Sequence, residues 1–325
     1  ANTINLGADL GAMAAAVKLV VGGPQLLYVA LFGVISVVLE TFVRYSRYVS
    51  VLKWLTLSLF AYVGVAFVVH VPWAVVARRL VVPHIALTAS YLTVVVAILG
   101  TTISPYLFFW QAEEEVEDVK ERSGARPLLR APEQAVSEFG RIRWDTCIGM
   151  ALSNIVALFI ILTTAATLNA HGITDIETSS QAAEALRPIA GPFVFVVFAL
   201  GIVGTGLLAL PVLASSAAYA VGETFGFHVG LARKVSRAKT FYATIAAATL
   251  VGAILNFTPL DPVKALFWTA VINGVVAIPI MAMMLLMASR RDIMGNFALS
   301  GILKGLGWLT TAVMTLAAIG MFATM

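Results

Sequence analysis

Apolar residues run along this chain in blocks, separated by short polar links, from one end to the other. The blocks fall at roughly 5–21, 25–43, 52–71, 86–119, 145–169, 191–221, 240–257, 263–288 and 302–324. Most are apolar all round, without the one-sided stripe of a soluble surface helix or the alternation of a half-buried strand. A helix rises ~1.5 Å per residue and the hydrocarbon core is ~30 Å thick, so a block of about this length can cross it. The pattern predicts nine membrane-spanning helices. Gly22, Gly23 and Pro24 separate the first two. Pro72–Val82 is short, amphipathic and bounded by Pro72 and Pro83, which predicts a helix lying along the surface. The two longest polar links, 118–143 and 170–189, are too short to hold a soluble domain.

One block is interrupted. Thr93–Glu117 opens as an apolar helix, breaks at Gly100-Thr-Thr-Ile-Ser-Pro105, then resumes and ends in acid. Pro105 has no N–H and disfavours helical geometry at Ser104. In hydrocarbon a break frees backbone groups that must be satisfied by protein or by a wet cavity. Two readings stand: a proline kink packed against its neighbours, or the discontinuous helix that marks a binding site in secondary transporters.

Composition narrows the class. The chain is 60% hydrophobic and 12% charged, with mean hydropathy +0.94, which excludes an ordinary soluble domain. Its net charge of +4 reflects loop asymmetry and not nucleic-acid binding. Sixteen of the 21 basic residues lie in four alternate links: Arg44, Arg47 and Lys53; Lys120, Arg122, Arg126, Arg130, Arg141 and Arg143; Arg233, Lys234, Arg237 and Lys239; Arg290, Arg291 and Lys304. The positive-inside rule puts those links in the cytoplasm and the C-terminus outside. Cys147 is the single cysteine, so no intrachain disulfide is possible, and it reads as a small buried apolar residue. The chain starts at Ala1 and is in a span by Asn5, with no charged n-region or cleavage site. It therefore reads as lacking the opening segment of a longer chain, and not as carrying a signal peptide.

Ionisable groups inside spans are costly and point to function. Asp9 is a candidate proton or cation site, or a structural hydrogen-bonding group. Lys18 reads as snorkelling outward. Glu40 has Arg44 one turn later and reads as an i, i+4 pair. Asn273 can bond across helices or supply an oxygen ligand. Gly201, Gly204 and Gly206 read as close helix packing. The Glu113–Asp118 acids either attract cations at the inner mouth or end a solvated helix beside arginines. The histidines are scattered, and no hydrolase, zinc-protease or P-loop motif occurs.

Gly100-Thr-Thr-Ile-Ser-Pro-Tyr106 resembles the sixth helix of the Nramp family of divalent-metal transporters, where a glycine is followed by a methionine-proline-histidine motif. Gly7-Ala-Asp-Leu-Gly-Ala12 resembles that family's third helix, and Ile272-Asn-Gly-Val-Val-Ala-Ile-Pro279 its tenth. The resemblance covers essentially the whole chain, as helices three to eleven. It implies an all-α polytopic membrane protein with the inverted-repeat, broken-helix (APC/LeuT-like) transporter fold, nine of an expected eleven transmembrane helices being present. The chain is then a single transporter domain, 1–325, with an incomplete first repeat (1–71), a second repeat (86–288) and a further C-terminal helix (302–324). The family's other broken helix, with its Asp-Pro-Gly-Asn metal motif, is absent from these residues.

Where the family has methionine and histidine, this chain has Ser104 and Tyr106. A hydroxyl or a held water suits hard cations better than a thioether does. The acid that follows the third-helix aspartate in the family's proton path is Ala12 here, and 240–257 holds none of its ninth-helix arginines. These departures resemble the magnesium- and manganese-carrying branch. The resemblance implies a metal site of the Thr102 and Ile103 carbonyls, Ser104 and Asn273, with Asp9 and Tyr106 on a proton or cation pathway. The family's tenth-helix glutamine aligns at Ile272 or Asn273. The expected function is alternating-access transport of Mg²⁺, with Mn²⁺ second, without the usual proton coupling. No cofactor, enzyme activity or nucleic-acid partner is expected; the partners are the cation and the lipid bilayer, and the expected location is the bacterial inner (plasma) membrane. The alternatives are a carrier of the same fold for another substrate such as amino acids, or a non-transport membrane assembly subunit.

Overall fold

The computed structural model describes residues 1–43, 54, 56–83, 85–122, 124–176, 179–187, 191–231, 235–259 and 261–325; for Thr56, Ser58 and Glu121 only the backbone is described. Among them there is no β-strand. The long helices are α1 (Asn2–Val21), α2 (Gln25–Phe42), α3 (Ala61–Val68), α4 (Trp73–Val81), α5 (Ala89–Thr102), α6 (Pro105–Glu121), α7 (Ala135–Thr167), α8 (Val194–Phe225), α9 (Lys239–Leu255), α10 (Pro262–Ala288) and α11 (Gly301–Thr324). The all-helical fold and its order follow the hydropathy pattern closely.

Seven stretches among the described residues are long and apolar enough to span a membrane: α1, α2, α5 with α6, α7, α8, α10 and α11. Two of the nine expected spans differ. The block at 52–71 is not one helix: it holds a 3₁₀ turn, Thr56–Phe60, and the two turns of α3. Val69 is extended, and α4 leaves at 118° to α3. Pro72 contributes to the stop: in a continuing helix residue 72 would donate to the Val68 carbonyl, and proline has no N–H to do so. No residue of α4 is buried, as expected for a surface helix. The seventh block, α9, has 17 residues, about 26 Å of helix and a little short of the hydrocarbon core. Of the basic link residues, Arg44, Arg47, Lys53, Arg233 and Lys234 lie outside the described residues.

The chain forms two compact units. One comprises Asn2–Pro83 and Cys147–Leu266, with α1 at its centre. Here close approach depends on small residues, as expected where lipid supplies no hydrophobic drive between helices. A Cβ on Gly252 would lie 3.0 Å from the Gly7 nitrogen, so α1 and α9 cross backbone to backbone. The Asn256 amide ties that crossing, donating to the Gly7 carbonyl at 2.8 Å and the Gly252 carbonyl at 3.3 Å. On the α8 side, Gly206 receives Met13, whose Cγ would be 2.6 Å from an added Cβ. The glycine-packing reading of α8 thus holds at Gly206. A second core gathers Ala16, Tyr62, Val65, Leu168, Leu186, Val194 and Phe198. There the buried Thr163 hydroxyl donates to the Tyr62 carbonyl at 2.9 Å.

The other unit comprises His84–Thr146 and Phe267–Met325 with Ala1. Its core is Leu92, Val96 and Ala97 of α5 against Val271 of α10 and Ala318 and Met321 of α11. Where α5 meets α10, a Cβ on Gly100 would strike the Ala270 carbonyl oxygen and the Gly274 nitrogen. A Cβ on Gly274 would lie 2.5 Å from the Val96 carbonyl oxygen. Neither neighbour is a flexible side chain, so neither position accepts more than hydrogen.

At the far end of α6, Glu115 and Asp118 are paired with arginines. Arg141 bonds Glu115 and reaches Asp118 at 3.6 Å, and Arg122 holds Glu138 in a two-pronged bond at 2.8 and 3.2 Å. Of the two readings of this acidic run, the arginine-paired helix end fits these two residues. Lys18 is exposed, consistent with snorkelling. Cys147 is exposed on α7, contrary to the buried role expected; this stretch of the helix packs on few described neighbours.

Replacing Gly100 with alanine should lower the thermal unfolding midpoint in detergent, at a cost of about 1–3 kcal/mol for overpacking. Gly140→Ala, where nothing lies within 4 Å, should leave the midpoint unchanged or raise it slightly. Equal midpoints for the two variants would mean that the α5–α10 crossing is loose.

Candidate functional site

The break between α5 and α6 is built by three residues. Thr102 ends α5; Ile103 is its C-cap, with φ −119° and ψ 66°, and its N–H still donates to the Leu99 carbonyl at 2.8 Å. Ser104 is the extended N-cap of α6, and Pro105 is its first residue. Proline is well placed there, because the first turn of a helix has no use for its missing N–H. It is not neutral for α5, however. In a continuing helix the residue at 105 would donate to the Thr101 carbonyl, and proline cannot.

Ser104 makes up that loss. Its hydroxyl donates to the Gly100 carbonyl at 2.9 Å and the Thr101 carbonyl at 3.1 Å, and its side chain is 3% exposed. The hydroxyls of Thr101 and Thr102 fold back in the same way, to Ala97 at 2.9 Å and to Ile98 and Leu99 at 3.0 and 3.1 Å. The proton of Ser104 is therefore committed to the helix end, while its oxygen lone pairs stay unused by these bonds. The carbonyls of Thr102 and Ile103 sit at the negative end of the α5 dipole, a favourable place for a cation.

The Gly100–Gly274 crossing brings α10 to within one helical turn of the break. It also separates the two candidates on α10: Asn273 is 4% exposed and Ile272 is 40% exposed, so the amide is the inward group. No hydrogen bond ties the Asn273 side chain among the described residues. Tyr106 lies in the first turn of α6 and is half-buried. Thr102, Ile103, Ser104, Tyr106 and Asn273 all belong to one unit. Asp9 belongs to the other, half-buried on α1, with no hydrogen-bond partner among the described residues.

Among the described residues no three His, Cys, Asp or Glu side chains converge as a metal cage. What the break and α10 offer is carbonyl, hydroxyl and amide oxygen. That donor set favours hard cations over soft ones.

Compared with known families, the chain matches the one described as natural resistance-associated macrophage protein-like, over residues 1–324. It belongs to the Nramp family. No curated protein matches the chain. The Nramp family consists of transporters and not enzymes, and membership implies transport of divalent metal ions by an integral membrane protein. The helix break thus lies in an Nramp chain at the motif through which the resemblance was first legible. Two residues that matter to the packing were not singled out from the sequence. Gly274, the partner of Gly100, follows Asn273 directly; Asn256 closes the α1–α9 crossing from the end of α9. A small residue or an amide in or just after an apolar block was the available signal for both.

Asn273→Ala should weaken divalent-cation uptake by the full-length protein about tenfold, as for the loss of about 1.4 kcal/mol of binding. Ile272→Ala should leave uptake near wild type. Uptake assays in proteoliposomes giving the reverse order would place the functional register one residue earlier.

Proposed function

We propose that this Nramp chain carries Mg²⁺, and secondarily Mn²⁺, by alternating access, without the proton route usual in its family. The observation that carries the reading is Ser104. At the helix break it presents a buried hydroxyl oxygen, already oriented by its bonds to Gly100 and Thr101, where the family pattern has a thioether. Mg²⁺ takes oxygen ligands and sheds its waters reluctantly, so one or two hydroxyl or carbonyl oxygens that can also hold a hydrated ion suit it. Thr102 and Ile103 supply carbonyls at the end of α5, and Asn273 supplies an amide oxygen from α10. Mn²⁺ accepts the same donors and is the natural second substrate.

In this reading two inverted repeats, the first represented incompletely by 1–71 and the second by 86–288, rock against each other and expose the site to either side in turn. Tyr106 on α6 and Asp9 on α1 are each taken, within their own unit, as a candidate for handling a proton or the cation. Ala12 in place of an acid, and the lack of arginine within 240–257, support transport without the family's proton path. The expected setting is the bacterial inner membrane, with the C-terminus outside. An amino-acid carrier of the same architecture would hold a carboxylate on helix N-termini. Pro105 removes one such N–H from α6, which favours the cation.

Ser104→Met should shift uptake in proteoliposomes from Mg²⁺ toward Mn²⁺ and Cd²⁺ by on the order of tenfold, since it exchanges a hard donor for a soft one. Selectivity unchanged from wild type would remove Ser104 from the site. Uptake of amino acids that competes with metal would move the assignment to the other carrier class.

A further inference from the structure

Glu40 is the one buried side-chain oxygen site among the described residues that packing leaves unfinished. It lies in the last turn of α2 and is 5% exposed. The Ser36 hydroxyl, one turn earlier, donates to Oε1 at 2.8 Å. Oε2 is fully buried and has no hydrogen-bond partner among the described residues. The i, i+4 pair expected with Arg44 lies outside the described residues.

Among the described residues, the helices packed most closely on α2 are α1, α8 and α9. Their titratable groups are Asp9 and Lys18, Tyr219 and Glu223, and Lys239 and Tyr242. None of them bonds to Glu40 among the described residues, so no cation from those helices neutralises the carboxyl. A carboxylate shut away from water without a counter-charge is far more costly than a neutral acid with one imperfect hydrogen bond. A metal ion is a poor occupant, because it would need several more oxygens than Glu40 and Ser36 provide. The smallest cation, a proton, needs only Oε2.

We propose that Glu40 is a proton-binding site within the membrane-spanning helices, with Ser36 fixing Oε1 as the hydrogen-bond acceptor and Oε2 carrying the proton. This site sits on α2, not on the helices that form the break, and it does not depend on which metal the protein carries. A protein that holds a proton its unfolded chain releases loses stability as pH rises. Glu40 thus makes this unit sensitive to alkalinity, by a group outside the set that the resemblance associates with proton movement.

Infrared difference spectroscopy of the full-length protein in liposomes tests this directly. The carbonyl stretch of a protonated carboxylic acid should be present in the wild type, absent in Glu40→Gln and shifted in Ser36→Ala, which removes the hydrogen bond to Oε1. Loss of a carboxylate band in Glu40→Gln instead would overturn the proposal. Thermal midpoints measured from mildly acid to alkaline pH give a second readout: the wild type should fall as pH rises, and Glu40→Gln should lose that slope. A midpoint lowered equally at every pH would mean a packing role only. Should Glu40→Gln fail to fold, the Ser36→Ala band decides: a shift supports the proposal and an unmoved band sinks it.

Discussion

The hydrocarbon core holds no water, so the backbone carbonyls freed where α5 stops must find donors inside the protein. Ser104 supplies one donor to two of them, Gly100 and Thr101. Because of this, a chain that has to contain Pro105 can still stop and restart a helix in the middle of a span. The same economy recurs through the molecule. Thr93, Thr164, Thr167, Thr205, Thr249 and Thr311 each return their hydroxyl to a carbonyl one turn back. In water such bonds compete with helix formation; in lipid they are how a hydroxyl is carried without an orphan.

With its polar groups settled locally, each unit is free to pack on shape. Gly100 against Gly274 and Gly7 against Gly252 are two instances of one device, helices brought close enough that backbone meets backbone. Close approach favours dispersion, which replaces the hydrophobic effect as the force between helices in lipid. It also sets what lies beside the break. The first crossing lies within a turn of the break, and the residue beside Gly274 is Asn273, so the contact that packs α10 on α5 also fixes which α10 side chain is turned inward. The break thus has oxygen from a helix end and an amide from a helix side, both held by packing.

Much of this was legible along the chain. The blocks of apolar residues set the order of the helices and many of their boundaries, because a membrane span is defined by length and polarity, both properties of sequence; α7 is an exception, starting at Ala135 inside the stretch read as a polar link. The break at 103–105 followed from Pro105 and the run of hydroxyl residues before it. The motif around it pointed to Nramp, and the family match over residues 1–324 agrees. The third block misled, since apolar content alone does not report a helix that ends at Val69 and turns by 118°.

Sequence by itself determined that this is a polytopic helical membrane protein with one apolar block interrupted at Gly100–Pro105. Periodicity and composition carry that information because each helix satisfies its own backbone. Only the tertiary structure decided that Asn273 and not Ile272 is buried, that Gly274 and Asn256 are points of helix crossing, and that Glu115 and Asp118 are bound to arginines. It also showed that one oxygen of Glu40 is buried without a hydrogen-bond partner among the described residues. These depend on contacts between residues far apart in the chain, and a helix that is apolar on every face does not announce which face its neighbour will take.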